Sequence, residues 1–589
     1  MNIDLRANPF FLTEEDCDWV HETIAAMNDE EKVGQLFFQL TSSQKEEDLI
    51  ELIQTYHLGG CRYNPAPARE VWKQNRILQE NSKIPLFIAC NTESGGDGAC
   101  TDGTYIGNGM KIGATGNHDY AEDMGRMGNA EAAAIGCNMA FAPVCDIYYN
   151  PMNTEISTRA FSNDPEMVKK CSVEYVRGAH QNTDFACVAK HFPGNGVDYR
   201  DAHLSNHVND FSPKHWDETY GMVYKELIEN GVEGIMGGHI MLPEYVRELA
   251  PELPEEEVWM PATLNKTLMT TLLRDKLGFQ GVVVTDASHM VAMTNQMTRK
   301  EMLPRAINAG CDMFLFFNDP QEDYQTMLTA YQRGVISEER MTEALTRILG
   351  IKAHLQLHKK SAAEMVPEKD TLDRVLGNEE FKKKQSEISE KSLTLVKYKD
   401  KDVLPISPEK YKKVMIVHIK GHETGMVELL KLCGMEGKNP AETVKEKLCE
   451  RGYDAYVYES PLDQMKQKAL KGEKPDLNIY FAGKNAISEF REQADLVITL
   501  CDVMAGRPSF GMSKGGGEIP WYVFEVPVIA VGCGQPTMLS DIPQVRTYIN
   551  IYDAKENTLD KLIEALSSGA EAFVGKDPID SFCGLQDTK

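Results

Sequence analysis

Between about residues 30 and 320 the chain repeats one pattern: a short apolar run rich in β-branched residues, a polar loop, then an amphipathic stretch. The runs are VGQLFFQL (Val33 to Leu40), LGGCRY (Leu58 to Tyr63), PLFIACN (Pro85 to Asn91), NMAFAPVCDI (Asn138 to Ile147), FACVAKHF (Phe185 to Phe192), VEGIMGGHI (Val232 to Ile240), GVVVTDA (Gly281 to Ala287) and DMFLFF (Asp312 to Phe317). Near-continuous apolar runs alternating with helices predict parallel strands covered on both faces. Eight such units over this length predict a (β/α)₈ barrel. From about Gly350 to Asp400 the pattern breaks into charged, helix-like sequence that ends in a strand-like segment, SLTLVKY. A shorter alternation then follows, in KKVMIVHI, YDAYVYES, DLVITLCD, VPVIAVGC and TYINIYD, and it predicts a doubly wound sheet. The expected fold class is α/β: a TIM-type barrel over residues 1–350, a linker over 351–400 and a smaller α/β sandwich domain over 401–589.

Composition sharpens this picture in a few places. The 589 residues are 42% hydrophobic, enough for a large buried core. Asp4 and Arg6 interrupt the N-terminal segment where a signal peptide needs an apolar run, and no run approaches the ~18 apolar residues of a membrane span. Fourteen Cys stand without a CxxC pair or disulfide-framework spacing, which points to a reducing compartment and a cytoplasmic location. A formal net charge of −27 argues against a nucleic-acid partner. No GxGxxG with an acidic ribose partner follows any predicted strand, so the isolated GGG at Gly515 to Gly517 reads as a loop and no nucleotide cofactor is expected. His203 and His207 are four apart, as are His354 and His358, but neither pair carries the Glu of HExxH or an evident third ligand. No metal is expected from them.

In a (β/α)₈ barrel, chemistry sits at the C-terminal ends of the strands. The polar residues ending the runs are Asn91 and Glu93, Asp146, Lys190 and His191, His239, and Asp286. Any one of them alone reads as a buried polar group satisfied by a neighbour, and Asp286 also as a helix N-cap. Five convergent strand ends predict a polar ligand. After Lys190 the chain reads KHFPGNGVDYRDAH, too dense in Gly and Pro for a helix or a clean strand. In an extended loop, Asp201 and His203 project to one side, so the carboxylate can hold one imidazole nitrogen and leave the other for an acid/base role.

KHFPGNGVDYRDAH resembles the KHFPGHGxxxxDSH signature of glycoside hydrolase family 3, in its β-N-acetylglucosaminidase branch. MNDEEKVGQLF, APVCDIYYNP, TRAFSNDP and GFQGVVVTDASHM resemble further segments of that family in order. KSLTLVK and GGGEIPWYVFEVPVIAVGCGQP resemble the second domain of its two-domain members. The resemblance implies that Asp286 is the nucleophile and His203 the acid/base, with Asp201 as its partner. It also implies that Arg159, Lys190, His191 and Asp146 hydrogen-bond the sugar preceding the cleaved bond.

The sequence departs from the family at three places. Asn195 replaces a histidine and is read as shaping the loop, and Ala202 replaces a serine without touching the dyad. NTESGG (Asn91 to Gly96) stands where the family has a DQEGG-like segment, so an amide, or the shifted carboxylate of Glu93, replaces an aspartate that grips distal sugar hydroxyls. The expected activity is that of a retaining, exo-acting β-N-acetylhexosaminidase acting on a small carbohydrate, with N-acetylglucosamine as the default sugar, as a monomer or homodimer. A phosphorylase using the same residues and an inactive sugar-binding barrel are the alternatives, and a β-glucosidase is a weaker one.

Overall fold

The computed structural model describes residues 3–41, 45–153, 155–182, 185–420, 437–459, 461–474, 487–503 and 520–584. They fall into two compact units: residues 1–109, 118–153 and 159–384 make up the first, and 110–117, 154–158 and 385–589 the second. The isolated GGG at Gly515 to Gly517 lies outside the described residues. Among the described residues, no helix is long and apolar enough to cross a membrane.

In the first unit, eight parallel strands close into a barrel. They are β1 (Phe37–Leu40), β2 (Gly60–Arg62), β3 (Phe87–Cys90), β4 (Met139–Ala140), β5 (Ala186–Phe192), β7 (Gly234–Gly237), β9 (Val282–Ala287) and β10 (Met313–Leu315). Two short strands, β6 (His207–Val208) and β8 (Ile240–Met241), pair outside it. Each barrel strand lies inside one of the eight apolar runs, and β3 and β5 are buried along their whole length.

The strands are shorter than their runs, and in β1 and β4 the local reason is visible. Asn28 and Glu31 form a reciprocal capping box that starts the helix Asp29–Gly34, so Val33 and Gly34 are helical and β1 begins only at Phe37. In the fourth run, Pro143 has no N–H to donate, and the regular ladder stops at Ala140. Beyond it, single bonds still follow β5, from Val188 N to the Ala142 carbonyl (3.1 Å) and from Lys190 N to the Pro143 carbonyl (3.1 Å).

The second unit holds a six-stranded sheet in the order β11 (Thr394–Tyr398), β16 (Thr547–Asn550), β15 (Val528–Gly532), β14 (Leu496–Asp502), β12 (Lys413–Lys420), β13 (Asp454–Val457). All neighbours are parallel except β11, which runs antiparallel to β16. Ile416, Ile498 and Val531 pack into one core and Met415, Val497 and Ala530 into another. That alternation along each strand is what a sheet covered on both faces requires. Residues 351–384, between the last barrel strand and this sheet, belong to the first unit and are largely helical.

One buried cation in the barrel unit bears on stability. Lys352, in the closing helix Glu338–His354, is fully buried; its Nζ donates to Gln35 Oε1 at 2.7 Å and stands 5.1 Å from the centre of the Phe87 ring. Burial pushes its ammonium down to about 7. Between that value and the ordinary lysine pKa, the unfolded chain binds a proton that the folded one does not, so stability rises with pH across this window. Lys352→Met is expected to lose this slope, roughly 1.4 kcal/mol per pH unit. Denaturant midpoints of both proteins at pH 7 and pH 9.5 check the difference.

Candidate active site

The β5 strand and the turn after it organise the site. The ladder between β5 and β7 shifts register between Ala189 and Phe192, so strict alternation of side chains fails there. Lys190 and His191, consecutive in sequence, are both buried and both reach carboxylates. Lys190 Nζ lies 2.6 Å from Glu93 Oε1. The His191 ring meets Asp146 through Nδ1 at 2.7 Å.

Asp146, at the end of the β4 run, is fully buried, and both its oxygens are engaged. Oδ2 binds the His191 ring, and Oδ1 accepts the backbone N–H groups of His191 (3.2 Å) and Asn195 (2.7 Å). A carboxylate out of water requires such satisfaction, and here it ties β4 to the turn after β5. The turn is closed from other sides as well. Asn195 Oδ1 accepts from Asn153 Nδ2 (2.9 Å) and from Gly196 N (2.6 Å), Trp216 Nε1 donates to the Pro193 carbonyl (2.7 Å), and Tyr220 donates to the Asn195 carbonyl (2.6 Å). Gly194 and Gly196 have φ of +122° and +110°; a Cβ there would lie 2.2 Å from the Tyr220 ring and 1.9 Å from the Ile147 carbonyl. Both positions therefore exclude any side chain.

Glu93 sits in a three-membered ion cluster. Its carboxylate accepts from Arg159 through Nε (2.8 Å) and NH2 (3.0 Å), in the bidentate arrangement that suits guanidinium, and from Lys190 on the same side. Burial pushes the Glu93 carboxyl up, but Arg159 and Lys190 more than offset this and hold it well below the usual carboxylate range. Burial in turn pushes the Lys190 ammonium below its ordinary value, against the pull of Glu93. Asn91, two residues earlier, is partly exposed and its side-chain amide has no hydrogen-bond partner among the described residues. A carboxylate thus stands in the ion cluster at position 93 and a neutral amide at 91.

Asp286 ends β9 as a partly exposed carboxylate. Oδ1 accepts the Ala287 N–H at 2.7 Å, while Oδ2 makes no hydrogen bond and lies 3.9 Å from His191 Nε2. Burial raises its carboxyl, and His191, His239, the Ala287 N–H and Lys190 together outweigh that, leaving it below its ordinary value and ionised. His239 is buried beside it with both ring nitrogens taken: Nδ1 meets Thr263 Oγ1 at 2.8 Å and Nε2 the Ala287 carbonyl at 3.1 Å. A carbonyl only accepts, so Nε2 carries the proton. In this arrangement His239 fixes the backbone next to Asp286.

Asp201 and His203 are paired, through a turn and not an extended loop. One oxygen, Asp201 Oδ1, accepts both the His203 N–H and the His203 Nδ1 at 2.8 Å, while the Asp201 carbonyl accepts from Leu204 and Ser205. This local Asx-type turn forms because a short carboxylate side chain can satisfy the N–H two residues on. Burial raises the Asp201 carboxyl, and its bonds to His203 more than compensate. The half-exposed His203 ring leaves Nε2 on the far side of this bond. The turn is fastened to the segment after β9 by Val291 N to the His203 carbonyl (3.3 Å) and Ala292 N to the Ala202 carbonyl (3.1 Å), with Ala202, Met290 and Ala292 packed together.

Of the sequence-derived candidates, Glu93, Arg159 and Lys190 form one cluster, and Asp146, His191 and Asp286 a second chain of contacts. Asp201 and His203 form the dyad, Asn91 stands open, and His239 supports β9. Asn153, Thr263, Trp216 and Tyr220 were not among those candidates. Their partners lie 23 to 45 residues away, and no short motif marks them.

Comparison with known proteins gives a consistent answer. Residues 29–351 match the model of the glycosyl hydrolase family 3 N-terminal domain. A β-N-acetylglucosaminidase/β-glucosidase of Cellulomonas fimi is 36% identical over 591 residues, covering 100% of both chains. β-Hexosaminidase A of Pseudoalteromonas piscicida is 29% identical over 61% of this chain and 62% of its own. Among solved structures, the β-glucoside phosphorylase BglX matches with a TM-score of 0.88 at 33% identity over 99% of each chain. With more than half its length matching that family's first domain and a relative similar from end to end, the chain belongs to glycosyl hydrolase family 3.

Proposed function

We propose that the protein is a retaining, exo-acting enzyme that cleaves terminal β-N-acetylhexosaminides, N-acetylglucosaminides first among them. The observation that carries this reading is an ionised carboxylate with one open oxygen, Asp286 Oδ2, at the end of a barrel strand. The imidazole–carboxylate dyad is bonded to the very segment that follows it. In the first step Asp286 Oδ2 attacks the anomeric carbon, the bond to the leaving oxygen breaks, and the proton on His203 Nε2 passes to that oxygen. Asp201 supports the cationic imidazole that makes this donation. In the second step neutral His203 takes a proton from the incoming acceptor as it displaces Asp286, giving net retention. Lys190 and Arg159, oriented by Glu93, supply donors for the sugar hydroxyls, and Asn91 offers a neutral amide where a charged grip would demand one particular hydroxyl pattern. The names of the Cellulomonas fimi and Pseudoalteromonas piscicida relatives support the hexosaminide assignment, the former with glucosides as a second class.

A second reading, phosphate as the acceptor in place of water, is favoured by the similarity to a β-glucoside phosphorylase across nearly the full chain. It also agrees with a dyad whose member facing the glycosyl-enzyme is a neutral imidazole, which does not repel an anion as a carboxylate would.

Aryl N-acetyl-β-glucosaminide, N-acetyl-β-galactosaminide and β-glucoside, each assayed with and without inorganic phosphate, separate these readings. Sugar 1-phosphate formed only with phosphate establishes the second, and free sugar at an unchanged rate establishes the first. Asp286→Asn is expected to lose activity by on the order of 10⁴-fold and to form no adduct with a 2-fluoro glycoside in mass spectrometry; wild-type turnover by this variant would overturn the nucleophile assignment. His203→Gln is expected to lose about 10²- to 10³-fold on poor leaving groups and far less on a dinitrophenyl glycoside, which needs no protonation. Glu93→Gln leaves Lys190 and Arg159 without their carboxylate, so kcat/KM is expected to fall on the order of 10²-fold and stability by roughly 2 to 3 kcal/mol, readable by steady-state kinetics and denaturant titration.

A further inference from the structure

The mouth of the barrel holds a charged side chain that the chemistry above does not use. Arg62 ends β2. Gly60, two residues earlier, faces the barrel interior: a Cβ there would lie 2.4 Å from the Phe38 ring, which reaches across to Phe141, beyond β4, at 5.5 Å between ring centres. Side chains alternate along a strand, so Arg62 also projects inward, one level higher and at the rim. Its register partner on β3 is Ala89, whose methyl group leaves the space that a guanidinium needs.

Inward positions of a parallel barrel are filled mostly by branched apolar side chains, and a guanidinium drawn out of water is costly unless it is opposed. Elsewhere in this unit that requirement is met: the buried Arg274 donates to two backbone carbonyls and to Asp312. Arg62 is half-buried, and among the described residues only Asn64 Oδ1 accepts from it, through Nη1 at 2.9 Å. No carboxylate of the described residues lies within 4.0 Å of it. Its nitrogens without a partner are not sealed from solvent. Burial pulls its pKa below the ordinary value, against Tyr63, Cys90 and Glu93, yet a guanidinium stays charged near neutrality. Glu93 is already taken by Arg159 and Lys190, so this cluster and Arg62 together carry three cations against one carboxylate.

The strand order sets which part of a sugar this cation meets. Round the closed ring β3 lies four strands from β9 in either direction, and β2 stands beside β3. A pyranose held with its anomeric carbon at Asp286, at the end of β9, therefore turns its opposite end to β3 and β2. Resting on the glycosidase reading above, we propose that Arg62 is a specificity-determining residue that binds an anionic group, a phosphate ester or a carboxylate, on carbon 6 of the terminal sugar. Carbon 6 is the position that can present either group, as an ester or as the oxidised carbon. The N–H groups that Arg62 keeps free of protein acceptors suit paired anionic oxygens, which a guanidinium holds in a planar fork. Glu93 is neutralised by its two partners, so the arriving anion meets a net positive field. The neutral amide of Asn91 agrees with this, because the aspartate of the resembling sequences would repel such a group.

Six substrates test the proposal on the full-length protein: an aryl N-acetyl-β-glucosaminide, an aryl β-glucoside, and the 6-phosphate and the carbon-6 carboxylate of each, with and without inorganic phosphate. In the series that the wild type turns over, kcat/KM is expected to be roughly 10- to 100-fold higher for a charged substrate than for its neutral parent. A lead for the phosphate assigns a sugar phosphate, and a lead for the carboxylate a uronic acid. Arg62→Gln should bring the charged-to-neutral ratio to about 1, mainly through KM, and Arg62→Lys, which keeps the charge without the fork, should give a ratio in between. A wild-type ratio at or below about 1, or a raised ratio that both variants retain in full, would overturn the role of Arg62 and leave the glycosidase reading in place. Turnover of none of the six overturns that reading and this proposal with it. If Arg62→Gln does not fold, the wild-type ratio and Arg62→Lys decide the question.

Discussion

The three hydrogen bonds accepted by Asp146 are the constraint on which the sugar-cleaving end of the barrel depends. A carboxylate removed from water at the end of β4 has to find donors, and the nearest are the His191 ring and two backbone amides of the turn after β5. Satisfying it fixes the ring plane of His191, and with it the nitrogen that faces Asp286. It also fixes the first residues of the segment leading to Asp201 and His203. Trp216 and Tyr220 close the same turn from the helical side, and the two glycines leave room for the Tyr220 ring and the Ile147 carbonyl to approach.

Among the described residues of the barrel unit, several buried ions are opposed by a specific partner, whereas Lys352 has only the Gln35 amide and the Phe87 ring. Glu93 is saturated by Arg159 and Lys190, and Asp312 by Arg274 and Arg340. Asp286 is different. It has cationic or proton-bearing neighbours enough to remain ionised, yet one oxygen is left without a hydrogen bond. An anion stabilised by field more than by direct bonds retains its nucleophilicity, because no donor has to be stripped from the attacking oxygen.

The fold was legible in the sequence because each strand of a closed parallel barrel is buried on both sides and therefore reads as an apolar run; all eight runs hold a strand. Boundaries were less legible where a local device outweighed the pattern, as the Asn28–Glu31 capping box does in claiming Val33 for a helix and Pro143 does in ending β4 early. The dyad was visible because its partners are two residues apart. The partners that His239 and Asp146 have within the chain were not legible. Their actual partners are separated from them by 24 and 48 residues in one case and 45 and 49 in the other, and only the folded chain shows them occupied. Spacing along the chain likewise placed His354 beside His358, whereas the fold places it beside Glu233, more than a hundred positions away.

The fastening of the Ala202–His203 turn to Val291 and Ala292 bears on how such a site can be rebuilt. The Ala202–His203 turn and the segment that follows β9 share two backbone hydrogen bonds, so the turn and the chain just beyond Asp286 form one mechanical piece although His203 and Asp286 stand 83 positions apart. A designer wishing to move this chemistry to another barrel could not transplant the arm by itself. The arm and the segment after β9 would have to travel together as a matched pair, with alanine-sized contacts kept between them, or the arm would lose the ledge on which it rests.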